Sequence, residues 1–102
     1  MTFHDELNSL YRNATTATES ERKVVLAATR AVLIDRAKKG VDKVSEEVLK
    51  HNVICHDEMG EVRSSAFENA FFHAMSDLKD KGLKFGVRTA SGNKVERFFY
   101  WD

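Results

Sequence analysis

Three neighbouring residues carry groups that could do chemistry: His51, Cys55 and His56. If residues 51–56 are helical, His51 and Cys55 stand at i and i+4 on one face. That spacing suits two ligands of one metal ion, with His73 or an acid as a third. A structural zinc site needs four ligands at tighter motif spacing. The pattern is therefore read as a half-buried thiol with two solvated histidines and no metal. Cys55 beside His56 also places a nucleophile next to a base. Neighbours in sequence seldom face one another, however, and no oxyanion loop accompanies them. The chain has no phosphate-binding loop, dinucleotide fingerprint or paired-carboxylate signature. Glu46-Glu47 and Asp57-Glu58 read as caps and solvated faces. The expectation is a protein that is not an enzyme and takes no cofactor.

The remaining chemistry is charge. Sixteen Lys and Arg balance sixteen Asp and Glu. Neutrality argues against a strong nucleic-acid binder, because phosphate contacts dominate such affinity. The charge is unevenly placed. From Val62 to the C-terminus, Arg63, Lys79, Lys81, Lys84, Arg88, Lys94 and Arg97 outnumber Glu68, Asp77, Asp80, Glu96 and Asp102. Over residues 83–101, Lys84, Arg88, Lys94 and Arg97 stand against Glu96 alone.

These groups need elements to position them. The chain has 102 residues, 42% of them hydrophobic and 31% charged. That supports a single domain over 1–102 with one modest core. No apolar run is long enough to span a membrane. The N-terminus lacks the basic and apolar regions of a signal peptide. Cys55 is the lone cysteine, which excludes an intrachain disulfide and fits a reducing cytoplasm.

Phe3, Leu7, Leu10 and Tyr11 give a short N-terminal helix over 2–13 with one apolar stripe. Thr18-Glu19-Ser20-Glu21 matches a capping box and opens a long helix to about Lys39. Its apolar residues wrap most of the circumference, which predicts packing on more than one face. Lys38-Lys39-Gly40 supplies its stop. Val41–Val44 reads as a short extended link. Ser45-Glu46-Glu47 caps a helix running through Val48, Leu49 and as far as His51. Residues 52–61 give no clear period.

The next helix is plain. Phe67, Ala70, Phe71, Ala74, Met75 and Leu78 recur as one apolar helical face, with Ser64 or Ser65 as the expected N-cap. Gly82 stops it. Leu83, Phe85 and Val87 then alternate with Lys84, Gly86 and Arg88, the period of a half-buried strand. Ser91-Gly92-Asn93 is turn chemistry. Val95 to Trp101 is rich in residues that strands prefer. Of Phe98-Phe99-Tyr100-Trp101, one face must join the core. The other is exposed or meets a partner, such as a second copy of the chain.

Helix, long helix, short helix, loop, amphipathic helix and hairpin follow in order, mainly α with a C-terminal β-hairpin. Residues 19–101 resemble the helix–helix–helix–wing order of winged helix-turn-helix domains, with an extra N-terminal helix. Ala74 to Leu83, ending Lys81-Gly82-Leu83, is similar to the family's pattern where its third helix leads into the wing. The family's second and third helices usually meet at a short turn. About a dozen residues separate Leu49 from Ser64 here.

The resemblance implies that residues 19–82 form the helical core and 83–101 the wing of a small DNA-binding regulator or accessory factor. Double-stranded DNA would then meet the third helix in its major groove. Asn69 would pair with adenine and His73 would share its face. Arg63, Ser64 and Ser65 would meet phosphate at the helix N-terminus. Lys84, Arg88, Lys94 and Arg97 would track the backbone or the minor groove from the wing. Glu68 and Phe72 fit that groove poorly, and the helix carries no cation between Ser64 and Leu78. The second expectation is therefore a protein-binding module on the same fold, a small inhibitor or adaptor of the kind found on mobile elements. Its contacts would be Phe72, Phe98 and Tyr100, or Phe72 would simply pack on the N-terminal helix.

Overall fold

A computed structural model describes residues 2–90 and 92–101, with the side chains of all of these except Glu58 and Ala90. The chain is mainly helical, with a small antiparallel sheet completed at its C-terminal end. Helix α1 spans Phe3–Thr15, α2 Glu19–Lys38, α3 Glu46–Ile54 and α4 Phe67–Asp80. Strand β1 is Lys43–Ser45, β2 Lys84–Ala90 and β3 Lys94–Tyr100. Two short 3-10 helices, Asp57–Glu61 and Ser64–Ala66, join α3 to α4.

Local sequence sets most boundaries. Thr18 Oγ1 accepts from the Glu21 N–H at 3.1 Å, and Glu21 Oε1 accepts from the Thr18 N–H at 2.8 Å, completing the expected capping box. Thr2 and Asp5 form a second one on α1. Ser45 caps α3 through Val48 N–H. Gly40 and Gly82 follow α2 and α4 at φ +82° and +107°. Behind them, Val41 N–H reaches Arg36 O and Leu83 N–H reaches Leu78 O. These are the six-residue closures that a left-handed glycine permits.

The core forms where α2, α3, α4 and the sheet meet. All six residues of the α4 stripe are buried, with Val25, Ala28, Leu49, Val53, Val44 and Phe99. The one buried hydroxyl on α2, Thr29 Oγ1, donates to Val25 O at 2.7 Å, so it enters the core satisfied. The sheet order is β1-β3-β2, and both pairings are antiparallel. Lys43 and Val44 of the expected link, with Ser45, thus form a strand that ties the hairpin to the helices.

Four sequence expectations change. The third helix runs on to Ile54, because Val53 finds a place in the core. Neither Ser64 nor Ser65 caps α4. A 3-10 turn comes first, and Ala66 takes the capping position without a side-chain bond. The long helix is not buried on most sides: Ala27 and Ala31 are exposed, and Ile34 is 50% exposed. Cys55 is an exposed thiol rather than a half-buried one. Within the hairpin turn, Ser91 lies outside the described residues, while Gly92 and Asn93 carry φ of +81° and +63°.

Helix α1 joins the fold through its C-terminal end, where Asn13 O and Ala14 O accept from Arg63 and Ser65. It buries no residue. Phe3, Leu7, Leu10 and Tyr11 all face solvent. The radius of gyration is 15.8 Å, against about 13 Å for a compact chain of this length. Among the described residues, no helix is long and apolar enough to cross a membrane.

Candidate nucleic-acid interface

Strand β3 sorts its residues by parity. Phe99 pairs with Val44 on one side and Phe85 on the other. Val44 and Phe99 are buried, and the Phe85 and Phe99 rings lie 5.5 Å apart. Lys94, Glu96, Phe98 and Tyr100 must therefore project from the opposite face. Their cross-strand partners share it. Lys43 and Lys84 flank Tyr100, Ser45 and Gly86 flank Phe98, and Arg88 lies opposite Glu96. Sequence spacing separates the hairpin cations from the hairpin aromatics, whereas the register puts Lys84, Arg88 and Lys94 on one face with Phe98 and Tyr100. Lys43, from a strand too short to read by alternation, joins them. Arg97 has the other parity, and its Nη1 lies 4.0 Å from Glu46 Oε2.

The aromatic pair is ordered by its neighbours. A Cβ on Gly86 would lie 2.5 Å from Phe98 Cζ, so the Phe98 ring occupies the place of a β2 side chain. The Phe98 and Tyr100 ring centroids are 5.8 Å apart and tilted by 36°. Lys84 Nζ sits 5.7 Å from the Tyr100 ring centroid, within cation–π range. Arg88 donates to Glu96 Oε2 through Nε at 3.1 Å and Nη2 at 2.9 Å. Both partners are substantially exposed, and such surface pairs are weak. Two hollows adjoin Phe98. One of about 310 Å³ includes Arg36, Lys43, Arg88 and Glu96 in its lining. The other, about 320 Å³, includes Asp42, Lys43, Gly86 and Tyr100.

The N-terminal end of α4 is occupied by the chain itself. Arg63 Nη1 donates to Asn13 O at 3.0 Å, and Nη2 to Thr16 O at 2.9 Å. Ser65 Oγ donates to Ala14 O at 2.7 Å. Asn69 Oδ1 accepts from Ala17 N–H at 2.9 Å. Residues 13–17 thus strap across the end of α4. Arg63 also binds Glu21 through Nε, Nη2 and its own backbone N–H, at 3.0, 2.9 and 2.9 Å. With the Thr18 N–H, every acceptor direction of the Glu21 carboxylate is used. The Arg63 guanidinium, first, and the two backbone N–H donors hold Glu21 far below the usual carboxylate range. Glu21 in turn raises Arg63. This hub joins residues 42 positions apart. No local pattern reveals it, because the capping box already accounts for Glu21.

On the open side of α4, Lys50 Nζ donates to Glu68 Oε2 at 2.8 Å, which raises the Lys50 pKa. Ser64 and His73 are exposed. Phe72 is 69% exposed and touches His73 edge-on at 5.8 Å, so it does not pack into a neighbouring helix. His51 Nε2 and Cys55 Sγ do share a face, 3.9 Å apart. Among the described residues, no three His, Cys, Asp or Glu come together as a metal site.

No family model matches the chain, and neither does any curated protein or solved structure.

Proposed function

We propose that this chain is a small winged-helix nucleic-acid-binding protein, a regulator or accessory factor, that grips DNA with the outer face of its sheet. The observation that carries this reading is the single face holding Lys43, Lys84, Arg88 and Lys94 with Phe98 and Tyr100. The winged-helix part is supported by the order α2, β1, α3, α4, β2, β3 and by the Lys81-Gly82-Leu83 turn into the wing. Contact falls to the sheet rather than to the N-terminal end of α4, which the chain itself occupies. The polar groups of Arg63, Ser65 and Asn69 already serve residues 13–17. The chain acts by binding, not by catalysis.

The test is a titration of a DNA duplex carrying a single-stranded overhang, at several salt concentrations. Binding should weaken as salt rises, and Lys43→Ala with Lys94→Ala should flatten the slope by about one for each phosphate that is no longer neutralised. Absence of binding at low salt would refute the reading.

A second reading is favoured by helix α1. Its apolar stripe of Phe3, Leu7, Leu10 and Tyr11 is solvent-facing along its whole length. A helix of 13 residues is marginal in isolation and normally owes its stability to a packed apolar face. A protein partner on α1, with Phe72 as a further contact, would supply one. Pull-down with Leu7→Glu and Leu10→Glu as the control checks this directly. Equal capture by the wild type and the variant would exclude α1 as the docking face.

A further inference from the structure

We infer that the outer face of the sheet takes single-stranded nucleic acid, with two unpaired bases stacked on Phe98 and Tyr100 and the phosphates held by the surrounding cations. This inference rests on the nucleic-acid reading above and narrows it to one substrate class.

Strand β3 is the middle strand, and Phe98 and Tyr100 stand two residues apart on it, on the same side. The core does not require them, since Phe99 fills the inner side. Their rings are half-buried and keep a surface toward solvent. Gly86 makes this arrangement possible. With no side chain on Gly86, the Phe98 ring lies across β2 instead of standing off the sheet. A ring laid against a sheet offers its outer π face to whatever approaches. The two hollows beside it, about 310 and 320 Å³, are at the small end of the range for small-ligand pockets.

Charge selects the occupant. Lys43, Lys84, Arg88 and Lys94 rise from the same face, and Arg36 lines the hollow next to Phe98. Asp42 lies there, and Glu46 and Glu47 line the hollow beside Lys94, with Glu46 next to Lys50; Arg88 and Glu96 offset one another, which leaves Lys43, Lys84, Lys94 and Arg36 as the cations that set the sign. The face therefore has a local positive excess around an apolar centre, although the chain as a whole is neutral. A polyanion with flat aromatic groups matches both features. A duplex keeps its base faces stacked inside, so it offers these rings nothing to stack on. An unpaired strand can splay its bases onto aromatic side chains while its phosphates track the cations.

The experiment compares fluorescent strands of about twelve nucleotides, a span within the range used by single-strand binding surfaces. The set is a mixed-sequence single strand of DNA, the same sequence in RNA, the matching duplex, and a DNA strand of equal charge with abasic sites at its centre. The expected result is a preference of roughly tenfold or more for a single strand, in either sugar, over duplex. The abasic strand loses both stacks and should bind at least about 30-fold more weakly than the intact one. Phe98→Leu and Tyr100→Leu, each losing one stack, should weaken the intact strand by about 5- to 100-fold and leave the abasic strand unchanged. Should the leucine variants fail to fold, the abasic comparison on the wild-type protein still decides. Duplex binding as tight as single strand, or an abasic strand bound as well as the intact one, overturns the inference and leaves the broader nucleic-acid reading standing. No binding of any strand at low salt overturns both.

Discussion

Phe71 and Phe72 are adjacent on α4 and should respond to truncation in opposite ways. Phe71 is 3% exposed, stacked 5.8 Å from Phe67, with Lys50 Nζ 5.6 Å from its ring centroid. Removing a buried phenyl ring costs about 3–5 kcal/mol, because the lost transfer energy is joined by a cavity. Phe72 is 69% exposed. Roughly a third of a side chain of ~200 Å² leaves solvent there, worth at most ~1.5 kcal/mol at ~25 cal/mol per Å². Alanine returns about 0.5 kcal/mol through its better helix propensity. The net cost of Phe72→Ala is therefore about 1 kcal/mol. In a domain of this size each kcal/mol moves the melting temperature by about 4–8 °C. Phe71→Ala should lose at least ~12 °C or fail to fold, and Phe72→Ala no more than ~8 °C. Urea denaturation followed by circular dichroism measures both, with an unchanged m-value required for the comparison. A cost above ~2 kcal/mol for Phe72→Ala, or below ~1 kcal/mol for Phe71→Ala, would refute the assignment of the two faces of α4.

Acid should weaken the fold through Glu21. Its folded-state pKa lies below the unfolded value of about 4.3, so its contribution is present above that pH and is lost as pH falls toward the folded value. The urea midpoint should drop from about pH 5 downward, and Glu21→Gln, which can still cap Thr18, should give a shallower slope in that window; equal slopes would deny the coupling to Arg63. Leu7→Glu with Leu10→Glu should leave the melting temperature within a few degrees, because neither residue is buried. If α1 meets a second copy, sedimentation should find the wild type self-associated and the variant monomeric; a monomeric wild type at high concentration excludes that copy as the partner. Gly86→Ala should force the Phe98 ring off β2 with a stability change within about 1 kcal/mol, since only the far end of a side chain must move. Loss of folding would mean that the ring cannot leave its place.

Legibility followed the range of the interactions. The α4 stripe, the Lys-Gly-Leu stop, the β2 alternation and the Thr18–Glu21 box are all encoded within a few residues, and each was readable. The end of α3 was not, because Asn52, Val53 and Ile54 have no period of their own and Val53 is placed by a core built from distant residues. The 3-10 helices at Asp57–Glu61 and Ser64–Ala66 are held by i to i+3 bonds that any of several residue types can make. Strand β1 has only three residues, too few for alternation, and its existence depends on Phe98, Phe99 and Tyr100 more than fifty positions later. The roles of Arg63, Ser65 and Asn69 were the least accessible. Their types suit a phosphate or a base, yet their partners are carbonyls and an N–H of residues 13–17, reached only when α1 and α4 are brought together.

The neutral charge of the chain sets a limit on how the sheet face can work. Four phosphate contacts to a single strand give a salt slope of about −3, so raising salt fourfold should cut affinity roughly 50-fold. A surface with so few cations cannot hold nucleic acid at physiological salt on electrostatics alone. Stacking on Phe98 and Tyr100, at about 1–3 kcal/mol per base, is of the size needed to offset that loss, and it is insensitive to salt. A second copy joined through α1 would add more, because two linked faces on one strand raise the effective concentration of the second contact. The sign pattern of α1 suits such a pairing: Asp5 and Glu6 occupy its first turn and Arg12 its last. Two helices laid antiparallel would set each acidic turn against the partner's arginine and bury both apolar stripes. Pairing through α1 would thus compensate for the small number of cations on the sheet face.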